Sequence, residues 1–160
     1  MQVFVGSKNQ AHDLVKRHDA GHLVSILDPG DRLFLTPRLH QINRLHQFFE
    51  DVLDEEVLNA PTREHVQELL DWGAQLPSDA VVVVHCFAGI SRSTAAALAL
   101  LVQHSGDVES SVRQLLEVRP QACPNPVISK FADELLGMKG ALFARSEEVA
   151  NSKILKILQE

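Results

Sequence analysis

Four consecutive valines, Val81–Val84, run into His85–Cys86–Phe87–Ala88–Gly89–Ile90–Ser91, and these run into Arg92–Ser93–Thr94–Ala95–Ala96–Ala97–Leu98. The valines are too few for a helix and too β-branched to favour one, so they predict a buried strand. From Ser91 onward the Ala/Leu-rich stretch predicts a helix with small side chains and room for close packing. The residues between them therefore sit at the carboxyl end of a strand and at a helix N-terminus. Free backbone N–H groups and the helix dipole favour an anion there. Gly89 lets the loop curl without a side-chain clash. Arg92 supplies a guanidinium fork for two phosphate oxygens. The same field favours the thiolate of Cys86, and a thiolate held below a bound phosphorus is placed for in-line attack. Phe87, Ala88, Gly89, Ile90, Ser91 and Arg92 are thus the expected phosphate cradle, with Cys86 at its base.

This segment resembles the His-Cys-x5-Arg-Ser/Thr signature of the cysteine-dependent protein tyrosine phosphatases. It is most similar to the dual-specificity branch, where Gly-x-Ser-Arg-Ser is the usual wording. The resemblance implies that His85 hydrogen-bonds the loop and tunes the thiol, and that Ser93 assists departure of the thiolate when a phosphocysteine is hydrolysed. The opening Val3-Phe4-Val5-Gly6-Ser7 resembles the family's first strand and turn. Arg119-Pro-Gln-Ala-Cys-Pro-Asn125 resembles the arginine and Pro-Asn motif that follows the phosphate loop. That motif implies a structural role for Arg119 and a hydrogen bond from Asn125 to the loop. Read as residues alone, Arg119 is a helix-end charge, Asn125 a turn residue, and Cys123 a small buried hydrophobe; a reversible disulfide of Cys123 with Cys86 is the alternative.

Cleavage of a phosphate ester also needs a proton for the leaving oxygen, and a positioned carboxylic acid supplies it. In the family this is an aspartate some thirty-odd residues before the cysteine. Asp51 lies 35 residues before Cys86 and Asp54 lies 32 before it, with Glu55 and Glu56 following. Asp51 is favoured by its expected place at the end of a strand His46–Val52, Asp54 by the family spacing, and both stay open here.

Strands are expected at Gln2–Gly6, His22–Leu27, Arg32–Pro37 (a short edge strand), His46–Val52 and Val81–Val84. Helices are expected from Lys8 to His18 behind a Ser7 cap, from Pro61–Thr62 to Gln75, from Ser91 to His104, from Asp107 to Val118, and from Pro126 to Leu136. Alternation of strands with helices predicts an α/β fold: a central, mostly parallel sheet with helices on both faces and the phosphate loop between a strand and a helix. Residues 1–140 form the expected phosphatase-like domain. Residues 141–160 have no counterpart in the family pattern and predict an amphipathic helix, either part of the same domain or a homodimer contact.

The function expected is hydrolysis of phosphate monoesters through a phosphocysteine, with a phosphorylated protein or a small aryl phosphate as substrate. No lysine lies inside the loop, which argues against an inositol lipid. No metal or cofactor is needed, and the eight histidines show no metal spacing. A non-catalytic phosphate-binding pseudophosphatase is the alternative, and a rhodanese-type sulfurtransferase a more distant one. The formal net charge of -6 argues against nucleic-acid or anionic-membrane partners. No apolar run reaches the length of a membrane span, and the N-terminus lacks a basic region followed by an apolar one. Two cysteines make no disulfide framework, which fits a reducing cytoplasm.

Overall fold

The computed structural model describes residues 1–159; Glu160, the last residue of the expected C-terminal helix, lies outside the described residues. Four strands, β1 (Gln2–Gly6), β2 (His22–Leu27), β3 (Asn43–Phe48) and β4 (Val81–His85), form one sheet in the order β1-β4-β2-β3. Every pairing is parallel. The sheet separates two apolar layers by strict alternation. Val3, Val5, Val24, Ile26, Val82 and Val84 face the larger core, while Leu23 and Val83 face the smaller one. The smaller layer is covered by α1 (Ala11–Arg17) and α2 (Pro37–Gln41) through Val15 and Leu39.

The larger layer holds α3 (Arg63–Ala74), α4 (Arg92–Ser105), α5 (Val108–Val118), α6 (Pro126–Leu136) and α7 (Ala141–Gln159). Helix α4 is buried without a break from Arg92 to Val102. A helix that is apolar all round has to be surrounded, and the run of alanines lets α3, α5, α6 and the sheet close on it. Thr62, Asp107 and Asn125 cap α3, α5 and α6 by accepting backbone N–H bonds. Helix α7 packs its first half, through Leu142 and Val149, on α5 and α6. Its last turns leave Ile154, Leu155, Ile157 and Leu158 exposed. Among the described residues no helix is long and apolar enough to cross a membrane.

Three expectations are corrected. Arg32–Pro37 forms no strand: Leu33 and Leu35 drape over the smaller core, and Thr36 caps α2 with Pro37 in its first turn. Thr-Pro at a helix start is a helix signal, because proline sits well where no backbone donor is needed. The strand expected at His46–Val52 begins earlier and stops at Phe48. Its partner β2 ends opposite, at Leu27, so beyond Phe48 there is nothing to pair with. The helix after Ser7 starts as a single 3-10 turn, Lys8–Gln10, before α1 begins at Ala11.

Candidate active site

The phosphate loop occupies the carboxyl end of β4 and the amino end of α4. Cys86 is buried, with its Sγ 3.1 Å from Ser93 Oγ and 3.2 Å from the Gly89 amide, which donates to it. The sulfur is thus met by a backbone N–H and a hydroxyl from the first turn of α4. Gly89 has φ +71°, and a Cβ there would lie 2.3 Å from the Gly6 carbonyl carbon, so the loop rests directly on the turn after β1. Only glycine fits that approach.

The loop's carbonyls are held from outside. Lys8 N–H donates to Phe87 O at 3.0 Å and Cys123 N–H to Ile90 O at 2.9 Å. Arg119 donates through Nε to Gly89 O at 2.7 Å and through Nη2 to Ala88 O at 3.1 Å. Asn125 N–H and Ala95 N–H both reach Ser91 O. Arg119 is therefore more than a charge at the end of α5, and Asn125 more than a turn residue.

Arg92 is almost wholly buried, its side chain 4% exposed. Its Nη1 donates to Asp28 Oδ1 and to Phe49 O, each at 2.7 Å. Its Nε has no partner among the described residues. One edge of the guanidinium is anchored and a donor on the other is unused, although a buried donor ordinarily finds an acceptor. Asp28 directly follows β2 in an Asp-Pro-Gly turn, and its signal in the sequence is its place at the carboxyl end of a strand.

His85 is fully buried, between Ser25 and the loop. Its Nε2 lies 2.7 Å from Ser25 Oγ and its Nδ1 3.1 Å from Cys86 O. The carbonyl can only accept, so Nδ1 carries the proton and Nε2 accepts from the serine hydroxyl. Burial holds the imidazole neutral and pushes its pKa down to about 4.

Of the two candidate acids, Asp51 meets the loop. Its Oδ1 accepts from Ser91 Oγ at 2.7 Å and from Asn125 Nδ2 at 2.9 Å. Asn125 Nδ2 also reaches Val52 O while its Oδ1 caps α6, so one side chain joins the acid-bearing segment to the helix. Asp54 instead accepts from the Glu56 amide in a turn of its own segment. Cys123 and Cys86 are both free thiols. Burial, and then the nearby Asp51 carboxylate, push the Cys123 thiol up and keep it protonated.

Dual specificity protein phosphatase 19 of Mus musculus is 27% identical over 128 residues, covering 78% of this chain and 54% of the relative. The solved structure of DUSP15 superposes with a TM-score of 0.64 at 25% identity, covering 91% of this chain and 90% of that one. Human DUSP28 gives a TM-score of 0.66 at 20% identity, with 87% of this chain and 94% of that one covered. The chain is similar in sequence to a dual-specificity phosphatase and shares the fold of the protein tyrosine phosphatase superfamily. It spans about half the length of the curated relative it matches. No protein-family model matches it. This likeness supports a phosphatase-type function at the level of the superfamily.

Proposed function

We propose that the protein hydrolyses phosphate monoesters, phosphotyrosine or phosphoserine/threonine in proteins or small aryl phosphates, through a phosphocysteine intermediate. The observation that carries this reading is one loop that holds the Cys86 sulfur, capped by the Gly89 amide, at its start and a buried Arg92 guanidinium, its Nε without a partner among the described residues, at its end. A phosphate dianion satisfies both needs: its oxygens accept from Arg92 and the loop amides while its phosphorus faces the sulfur.

In the first step the Cys86 thiolate forms the S–P bond and the ester P–O bond breaks. Asp51, as the carboxylic acid, gives its proton to the leaving oxygen. Its contacts with Ser91 and Asn125 support this assignment over Asp54. In the second step water attacks phosphorus, Asp51 takes a proton from it, and the S–P bond breaks to release phosphate. Ser93 Oγ, 3.1 Å from the sulfur, is placed to donate to the departing thiolate. His85 holds the Cys86 carbonyl through Nδ1 and keeps the base of the loop in place.

The test is turnover of an aryl phosphate, inhibited by vanadate. Cys86→Ser is expected to lower kcat by roughly three orders of magnitude or more, while vanadate still binds. Acid quenching of wild-type protein during turnover should trap phosphate on Cys86, detected by mass spectrometry. Turnover by Cys86→Ser within tenfold of wild type overturns the nucleophile. Tight phosphate binding with no turnover by wild type makes the protein a docking module instead.

A further inference from the structure

The segment after β3 and the last helix meet beside the phosphate loop and leave a cavity of ≈ 180 Å³. Ser91 forms part of its wall, and Leu53, Cys123, Pro126, Ala150 and Ile154 make most of the rest. Leu53 is 76% exposed and Ile154 50% exposed, so two aliphatic side chains face water next to the loop. The cavity opens onto a wider groove of ≈ 680 Å³ that shares Leu53, Pro126 and Glu147 with it. There the lining turns acidic: Asp54, Glu55, Glu56 and Glu147 face a single lysine, Lys130, already paired with Glu55 at 2.9 Å.

We propose that the small cavity is a substrate subsite for an apolar side chain near the phosphorylated residue of a peptide, and that the acidic groove beyond it receives a basic residue of the same peptide. The proposal rests on the phosphatase reading of the loop. Continuity is the first argument. Ser91 both lines the cavity and bonds Asp51, so a peptide whose phosphate sits in the loop runs past this wall. Size is the second. A cavity of ≈ 180 Å³ has room for one branched aliphatic side chain. Charge is the third. The carboxylates of the groove favour a cationic segment and disfavour the headgroups of an anionic lipid surface. Helix α7 supplies Glu147, Ala150 and Ile154, so the C-terminal helix becomes a determinant of substrate choice.

The experiment uses fluorescent phosphotyrosine peptides with leucine or aspartate placed in turn at the three positions on either side of the phosphotyrosine, with and without a following arginine. Binding is read by anisotropy on Cys86→Ser protein, and kcat/KM on wild type. At one position leucine should be preferred over aspartate by about tenfold, the effect of partly burying one aliphatic side chain, and arginine beyond it should add to the preference. Ile154→Glu, a change at an exposed site, should remove the leucine preference, and Ile154→Val should retain it. Equal binding of leucine and aspartate peptides at every position overturns the proposal, as does a preference untouched by Ile154→Glu. If Ile154→Glu instead halves the mass in solution, the occupant is a second copy of the chain and the proposal falls. Absence of turnover with every peptide counts against the phosphatase reading alone, since anisotropy still reads the subsite.

Discussion

The phosphate loop and the acid-bearing segment after β3 are neighbours held in opposite ways. From Phe87 to Ser91 each loop carbonyl accepts a bond from another part of the chain: Lys8, Arg119, Cys123, Asn125 and the first turns of α4. The segment Glu50–Asn59 is mostly exposed. It is tied down by the Glu50–Asn59 backbone bond, by two local turns, and by Asp51 and Val52 through Ser91 and Asn125, with Glu55 reaching Lys130 at the surface. A binding site gains by having its donors fixed before the ligand arrives, since no reorganisation is then needed. On the mechanism proposed above the acid needs only its carboxyl held, and Ser91 and Asn125 both donate to that of Asp51.

The contrast breaks most clearly at Asp51. Asp51→Asn should lower kcat/KM for phenyl phosphate by about 10²–10⁴-fold, and far less for an aryl phosphate whose leaving group needs no proton. Asp54→Asn should leave that dependence on the leaving group as in wild type. A steady-state comparison of the two esters with both variants decides it; the reverse pattern moves the acid to Asp54 and detaches Asp51 from the chemistry.

The rigid side is sharpened by Gly89→Ala. The added carbon meets backbone atoms of Gly6 and Ser7 at a positive φ, so either the loop or the β1 turn has to move. A cost of about 3 kcal/mol in urea unfolding is expected, from backbone strain plus overpacking, together with loss of vanadate binding. A cost below about 1 kcal/mol, the order of a glycine-to-alanine conformational effect alone, means that the loop gives way and the contrast is smaller than the hydrogen bonds imply.

The smallest effect expected is the pH dependence from His85. Its pKa is about 4 in the folded protein against 6.5 for the ordinary side chain. Between those values the unfolded chain binds a proton that the folded one does not, so stability rises with pH from about 4 to about 6.5 and is then level. The contribution is at most about 3 kcal/mol. His85→Gln should flatten that part of the slope in thermal melts taken across the window. An unchanged slope means that the imidazole is not held neutral under the loop.

What was legible in the sequence was local. Val81–Val84 and the Ala/Leu run are adjacent, so strand, loop and helix could be read together, and Thr62, Asp107 and Pro126 mark helix starts within a few residues. The parallel sheet followed from alternation alone. Arg92's anchor was not legible, because Asp28 is 64 residues away and looks like any acid in a Pro-Gly turn. The end of β3 was missed for a related reason. The apolar pattern runs on through Phe49 and Val52, but a strand lasts only as long as its neighbour, and β2 stops at Leu27. The expected strand end favours Asp51 and the family spacing Asp54; the strand stops at Phe48, three residues short of Asp51, and it is the bonds from Ser91 and Asn125 that bring Asp51 to the loop. The amphipathic character of α7 was plain, whereas the face it buries is set by α5 and α6.

Strand β1 has a single hydrogen-bonded neighbour, β4, and the two stand at opposite ends of the first half of the chain. On a ribosome, β1 emerges with both of its edges open and waits while residues 7–80 are made. At about 5–20 residues per second that wait is roughly 4–15 s. During it, Gln2–Gly6 is a short apolar edge free to pair with any other strand at hand. The wait ends only when β4 arrives, and with it the loop whose Gly89 closes on Gly6. The nascent chain therefore has no phosphate cradle until one edge of β1 has been covered, and the cradle is complete only when Arg119, Cys123 and Asn125 follow to hold its carbonyls.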